Sequence, residues 1–348
     1  MHLTHHHGRD SGKSGWTALN HYSLNQDTLN QTPSNHSTPY AGLSPDLVLD
    51  SITACGLWPD GRLLALNSYE NRVWQVGLDD ASPVIAKFYR PGRWSDAAIL
   101  EEHTFALELA ADELPLVAPL VFGGRTLLHH GGFRYALTPR RGGRAPSLES
   151  TEQLEWLGRL IARMHTVGAR QPFSQRGRLD RATLIEQPMQ AVLASSLLPA
   201  SLQTNYRAAA QRLDAAVAAR FEAIGPVRQL RLHGDCHPGN VLWTDAGPHF
   251  VDLDDARMGP AVQDLWMLSS DERTMTALLD GYQQFRDFDM GELALIPALR
   301  AMRQLHYAGW IAQRWSDPAF PAAFPFAAES RWWEQHIADL HELADELE

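Results

Sequence analysis

Leu230-Arg231-Leu232-His233-Gly234-Asp235-Cys236-His237-Pro238-Gly239-Asn240-Val241-Leu242-Trp243, then a turn through Gly247-Pro248, then Phe250-Val251-Asp252-Leu253-Asp254-Asp255, is the stretch that decides how this chain is read. The two apolar runs flank a six-residue turn, which predicts an antiparallel hairpin. Asn240 stands just before the outgoing strand and Asp252 at the end of the returning one, so the hairpin brings both side chains to its open end. Asp235 lies five residues before Asn240, on a loop tightened by Gly234, Pro238 and Gly239. Two oxygen donors beside a further carboxylate make a hard, oxygen-rich site suited to Mg²⁺, which takes one or two protein oxygens and completes its shell with water and phosphates. Phosphoryl transfer uses that arrangement, with a nearby aspartate to orient the acceptor hydroxyl and take its proton.

Two other readings compete for the same residues. Asp, Asn and Gly are common in turns simply because they tolerate turn geometry. That explains any one of these residues, but not His-Gly-Asp, Asn240 and the aspartate on the returning strand as a set. A zinc site from His233, Cys236 and His237 has suitable ligand types, but its spacing is irregular and no second cysteine pair completes it.

Upstream, residues 44–138 read as short alternating strands with turns. Leu63–Leu66 and Arg72–Val76 flank the polar turn Asn67-Ser68-Tyr69-Glu70-Asn71 as a hairpin, and Val84–Tyr89 forms a third strand with Lys87 on the same face as Ile85 and Tyr89. By itself Lys87 reads as an edge-strand lysine that discourages aggregation. Residues 94–111 carry helical spacing with Glu101 and Glu102 in the middle, where a glutamate is ordinarily a solvated face residue. Residues 139–147 hold three Arg, two Gly and two Pro, which marks a hinge between lobes. Beyond it, Ser150 and Gln153 suggest a capping box opening a core helix through Leu154, Leu157, Ile161 and Met164, with Met164 and His165 as packing residues. Helical patterns fill 181–224 and 260–345, so the second lobe, 148–348, is mainly α.

Composition narrows the classes. The 348 residues hold 30 Lys+Arg against 41 Asp+Glu, a net charge of −11, and no dense basic stripe, which argues against nucleic-acid binding. Two cysteines form no disulfide framework, and neither a signal-peptide core nor an apolar run of spanning length occurs. A soluble cytoplasmic protein without membrane contact is expected. Residues 1–43 are rich in His, Asn, Ser, Thr and Gln without hydrophobic period and read as a disordered or tag-like tail. Within it, His5–His7 reads as an adventitious metal binder. Gly8–Ser14 imitates a P-loop but has three residues between its glycines where four are required.

The loop His233–Asn240 resembles the catalytic loop of the aminoglycoside phosphotransferase and choline kinase superfamily, which has a protein-kinase-like fold. Leu66–Val73, Lys87–Pro91, and Phe250–Arg257 through Leu268 are similar to the bacterial stress response kinase A family of serine/threonine protein kinases, and the resemblance runs from about residue 44 to 335. It implies an α+β, two-lobed fold with an ATP-binding, β-rich N-lobe (44–138). It also implies that Asp235 is the catalytic base, that Asn240 and Asp252 bind Mg²⁺, and that Lys87 contacts the ATP phosphates with Ser68 facing ATP. The partner of Lys87 is expected to be Glu102 rather than Glu101, because Glu102-His103-Thr104-Phe105-Ala106-Leu107 better matches the superfamily pattern. Asp264 is expected to brace the catalytic loop, although a helix N-terminal charge explains it as well.

Two departures stand out. The turn 67–71 has no glycine where eukaryotic kinases carry a glycine-rich loop, so phosphate contact falls to its backbone N–H groups and the Ser68 hydroxyl. Asp252-Leu253-Asp254 replaces Asp-Phe-Gly without an evident activation loop, so no switch by activation-loop phosphorylation is expected. The implied activity is ATP- and Mg²⁺-dependent transfer to Ser or Thr of a protein, in bacterial stress response, by a monomer. The alternatives are a small-molecule kinase of the aminoglycoside, choline or homoserine kinase type, or a nucleotide-binding scaffold without turnover. Cys236 reads as a small buried cysteine. Trp310, Trp315, Trp332 and Trp333 read as core, with an acceptor wall as the minority reading.

Overall fold

The alternation that begins at Pro59 folds as β1 (Pro59–Leu66), β2 (Arg72–Leu78) and β3 (Val84–Phe88) in a computed structural model that describes residues 38–348. The His5–His7 run and the P-loop-like segment lie outside the described residues. With β4 (Leu128–His130) and β5 (Phe133–Pro139) these strands make an antiparallel sheet of order β1-β2-β3-β5-β4. Lys87 sits opposite Val73 on β2 and Ala136 on β5. It is therefore on an inner strand, which removes the edge-strand explanation for it.

Strand periodicity gives the sheet two different faces. Val76, Val84, Ala86, Phe88, Tyr135 and Leu137 are buried against Val48 and Ile52 of α1 (Pro45–Thr53). The other face packs Tyr89 and Ala136 against Ile99 of α2 (Asp96–Ala111), whose N-cap is Ser95. Helix α1 corrects the expectation of strands from residue 44. Ser44 Oγ accepts from Leu47 N (3.2 Å) and Pro45 occupies the first turn, a helix start that outweighs the short apolar alternation after it. Residues 38–43, expected within the tail, are held on the sheet: Tyr40 OH donates to Glu70 O (3.0 Å), and its ring lies under the Arg72 guanidinium.

Past β5 the connector is pinned to the second half by Arg144, which exchanges backbone hydrogen bonds with Trp243 (3.0 and 2.7 Å). Helix α3 (Thr151–Gly168) follows. Only half of the expected capping box forms: Ser150 Oγ accepts from Gln153 N, but Gln153 Oε1 accepts from Ser147 N instead of Ser150 N. The helical half continues with α4 (Gln187–Ala194), entered through a π-helical turn at Ala182–Glu186, and α5 (Gln203–Ile224). After the strand region come α6 (Gln263–Trp266), α7 (Glu272–Tyr282), α8 (Ile296–Arg314), α9 (Ala319–Ala323) and α10 (Ser330–Leu347). Helices α3 and α7 pack backbone to backbone, since a Cβ on Gly158 would come 2.0 Å from Leu278 O. The fold is α+β, a five-stranded antiparallel sheet followed by a helix-rich half.

The decisive hairpin is tighter than its sequence suggests. β7 (Val241–Thr244) pairs with β8 (Gly247–Phe250) down to Thr244 opposite Gly247, leaving two residues in the turn instead of six. Thr244 Oγ1 donates to Gly247 O and accepts from Ala246 N, so a side chain supplies bonds that a longer loop would have to find. The preceding strand, β6 (Leu230–Leu232), pairs instead with β9 (Arg257–Gly259) and brackets the hairpin from outside. Among the described residues no helix is long and apolar enough to cross a membrane.

Candidate active site

The loop between β6 and β7 is held from below by one carboxylate. Asp264, on α6 and fully buried, accepts from His233 N and Gly234 N (both 2.8 Å) and lies 3.1 Å from His165 Nε2. His165 is in turn 2.9 Å from Tyr282 OH, so the residue expected to be mere packing orients the brace. His233 Nε2 donates to Val251 O (2.9 Å), and His237 Nδ1 accepts from Gly239 N (3.0 Å). Both histidines thus serve the loop's own shape. Cys236 is buried, and burial pushes its thiol well above the ordinary range. Among the described residues no group of three or more His, Cys, Asp or Glu side chains is placed to hold a metal ion.

Gly234 is the tightest point of the loop, with φ +85 and a position where a Cβ would stand 2.1 Å from Asp255 O. Gly234→Ala is expected to destabilise by about 3 kcal/mol, combining overpacking with left-handed strain. Thermal unfolding checks this, and an unchanged Tm would show that the loop and the Asp255 turn can separate freely.

The open end of the hairpin brings Asn240 and Asp252 together, because Val251 N donates to Asn240 O (3.0 Å). Asn240 Nδ2 donates to Asp235 O (2.9 Å), which leaves the amide oxygen as the atom to offer a cation. Asp252 has φ 63, the left-handed region that only a strongly held non-glycine residue keeps. Its half-exposed carboxylate accepts from Lys87 Nζ (2.9 Å), and Asp254 lies 3.2 Å from the same nitrogen. Burial disfavours charge on Lys87, but Asp252, Asp254 and Glu102 outweigh it and raise its ammonium well above the usual range.

Lys87 therefore pairs with Asp252 and Asp254, not with Glu102 as expected. The buried Glu102 instead meets Arg176 Nη1 at 3.2 Å. Burial raises its carboxyl against the pull of Lys87 and Arg176, so it faces the same charge cluster. Glu101 turns away and accepts from Ser174 N, Gln175 N and Arg176 N, fixing the loop that carries Arg176.

Asp254 is the hub that the sequence reading did not single out. It is 3% exposed, ion-paired to Arg93 and Lys87, and accepts from Asn71 Nδ2 (3.1 Å), while its carbonyl accepts from Arg176. Burial raises its carboxyl, but Arg93, Lys87 and Arg176 hold it far below the usual range. Asp255 Oδ1 accepts from Arg93 Nη2 (2.8 Å) and Arg257 Nη2 (2.7 Å). The β1–β2 turn carrying the half-buried Ser68 is anchored by side chains in place of glycine: Glu70 accepts from Trp310 Nε1 and Arg314 Nε (both 2.5 Å), and Asn71 Oδ1 accepts from Arg90 N. Trp310 is thus a clamp on this turn, whereas Trp333 is core, its Nε1 donating to Ala327 O. Asp235 itself accepts from Arg303 Nη1 (2.6 Å) and lies 3.5 Å from His237 Nε2.

The phosphotransferase enzyme family model matches residues 62–296, which span the sheet, the loop and the hairpin. Stress response kinase A of Escherichia coli (strain K12) is 42% identical over 319 residues, covering 90% of this chain and 96% of that protein. The chain belongs to the phosphotransferase enzyme family, beside stress response kinase A. The serine/threonine protein kinase RdoA of Salmonella typhimurium is likewise 42% identical to this phosphotransferase, over 86% of the chain and 92% of its own length. Among solved structures, an amicoumacin kinase in complex with AMP-PNP, Ca²⁺ and its ligand has a TM-score of 0.68 at 19% identity over 86% of this chain and 93% of that one. A microcompartment-associated aminopropanol kinase has a TM-score of 0.61 at 18% identity over 84% and 98%. These two neighbours establish the fold of the phosphotransferase as kinase-like.

Proposed function

We propose that this phosphotransferase is an ATP- and Mg²⁺-dependent kinase of protein serine or threonine hydroxyls, linked to stress response. The observation that carries the chemistry is the meeting of Asp235, Asn240, Asp252 and Lys87 at one end of a two-residue hairpin, with Asn240 hydrogen-bonded to the Asp235 backbone and Lys87 to the Asp252 carboxylate. The names of the 42%-identical relatives support both the protein acceptor and the stress role.

Asn240 and Asp252 fit Mg²⁺: one amide oxygen and one half-exposed carboxylate match a cation that completes its shell with water and phosphate oxygens. Bound there, the ion supplies neutralisation of charge on the transferring phosphoryl group. Lys87 holds phosphate oxygens, drawing on the ammonium that Asp252 and Asp254 keep charged. The Ser68 hydroxyl and neighbouring backbone N–H groups cover the phosphates, and Glu102 adds negative charge behind Lys87. Asp235 orients the acceptor hydroxyl and accepts its proton. Asp264 and His165 keep the loop from relaxing as that charge moves.

Transfer of label from γ-labelled ATP with Mg²⁺ to protein and small-alcohol panels tests the reading. Label on Ser or Thr of proteins supports it, label on small alcohols alone moves the chain to small-molecule kinases, and ATP binding without any transfer makes it a scaffold. Asn240→Ala is expected to raise the Mg²⁺ concentration for half-maximal rate by about 10-fold or more. An unchanged Mg²⁺ dependence would remove Asn240 from the ligand set.

A further inference from the structure

Helix α8 stands beside Asp235, and all of its charged side chains are cations. Its sequence, Ile296–Arg314, contains Arg300, Arg303 and Arg314 and no Asp or Glu, within a chain whose net charge is −11, while burial pushes the His306 imidazole down to about 4 and keeps it neutral. Arg303 Nη1 reaches Asp235 Oδ1 at 2.6 Å, and seven and eleven residues on, Trp310 and Arg314 hold Glu70 of the β1–β2 turn. At 1.5 Å rise per residue the helix spans about 16 Å between Arg303 and Arg314. It therefore runs from the candidate base to the turn that covers the phosphates.

The cations around this site differ in freedom. Lys87, Arg93 and Arg176 have side-chain exposures of 15, 14 and 0%, and each is engaged with two or more acceptors. Arg303 is 44% exposed. The Asp235 carboxylate it holds is 24% exposed, so an entering anion can reach the guanidinium from the solvent side and compete for it. Asp235 Oδ1, one of the two oxygens that can take the acceptor proton, is covered by an arginine whose guanidinium reaches solvent. When an acceptor enters, Arg303 has to be offered another anion or be left facing the incoming group. A cationic acceptor would meet it as a like charge, whereas a carboxylate beside the acceptor hydroxyl would give the planar guanidinium a two-point partner.

We propose that Arg303 determines acceptor specificity, exchanging Asp235 for a carboxylate next to the acceptor hydroxyl, so that the α8 wall selects Ser/Thr segments with acidic neighbours. The inference rests on the protein-kinase reading for its substrate class and on the charge of α8 for its sign. The acceptor's own carboxylate thereby uncovers Asp235, which couples recognition to the release of the base.

The test compares kcat/KM for matched serine peptides with Glu or Lys beside the serine, using the full chain as wild type, Arg303→Glu and Arg303→Lys. Wild type is expected to favour the acidic peptide by about 10-fold or more, mostly through KM. Arg303→Glu inverts the preference, and Arg303→Lys retains its sign at reduced size. A wild-type preference for the Lys peptide, or a preference untouched by Arg303→Glu in a protein of unaltered Tm, overturns the proposal. If wild type labels small alcohols and no peptide, the protein-kinase reading fails separately. Glycerate against choline, with the same variants, then decides the role of Arg303.

Discussion

Asp235→Asn is expected to lower phosphoryl transfer by about 10²–10⁴-fold, the usual contribution of a positioned base, while ATP binding stays near wild type. The separation follows from geometry: Asp235 contacts Arg303 and His237, whereas the cations and carboxylates around Lys87 form a different cluster. Burial pushes the Asp235 carboxyl up, but Arg303 and His237 outweigh it and hold it well below the usual carboxylate range. The base is thus already ionised through the whole neutral range. Because the deprotonated form is the active one, kcat/KM, which reports the free enzyme with Arg303 still on Asp235, falls only as pH drops through that lowered value, below about pH 4. Arg303→Lys should leave this acid limb low, since it keeps a cation. Steady-state ADP release with acceptor present, measured for wild type and Asp235→Asn with nucleotide affinity in parallel, checks the expectation. Turnover within threefold of wild type would remove Asp235 from the role.

What could be read from the sequence depended on how far apart the partners lie along the chain. Asn240 and Asp252 are brought together by a single hairpin, so spacing alone places them, and only the length of the turn was misjudged because the Thr244 side chain closes it early. The strands on either side of Asn67–Asn71 follow from alternation in the same way. Helix α1 was missed although its signal was present in Ser44-Pro45 and in Val48 and Ile52 one turn apart. The pairing of Lys87 with two aspartates 165 and 167 residues away has no local signature, since ion pairs between distant segments leave no period. The same holds for Arg93 with Asp254 and for Glu70 with Arg314. One clue was available: Asp252, Asp254 and Asp255 stand almost consecutively beside apolar strands, and three carboxylates there require cations from elsewhere in the fold. Arg93, Arg176 and Arg257 were the arginines to ask about. Membership of the phosphotransferase family was legible because its motifs lie in short loops, while the approach of α8 to Asp235 through Arg303, 68 residues away, was not.

Asp254→Asn is expected to cost about 3–5 kcal/mol of stability, the range for removing one member of a buried ion pair and stranding its partners. Asp254 is contributed by the hairpin side, while Asn71, Lys87 and Arg93 come from the sheet side, so the substitution loosens the contact that sets Lys87 over Asp252. Arg93 keeps Asp255 and Lys87 keeps Asp252 in this variant, so the loss is the share of their charge that Asp254 alone balances. Arg93→Met and Asp254→Asn should therefore cost less together than the sum of the two single variants, in a double-mutant cycle that distant sites would not couple. The pH dependence has a definite sign. A carboxyl lowered in the folded state contributes fully above its unfolded value near 4 and loses that contribution as pH falls through the folded value. Lys87, raised in the folded state, contributes fully below its unfolded value near 10 and loses it as pH rises through the folded one. The gap between wild type and Asp254→Asn should thus be flat from about pH 5 to 10 and close only at the acid end. Denaturant unfolding across that range is the measurement. A gap that closed by pH 7, or costs that simply added in the cycle, would mean that Arg93 and Lys87 are satisfied without Asp254, and that Asp252, Asp255, Glu70 and Asp317 hold the two halves of the site together.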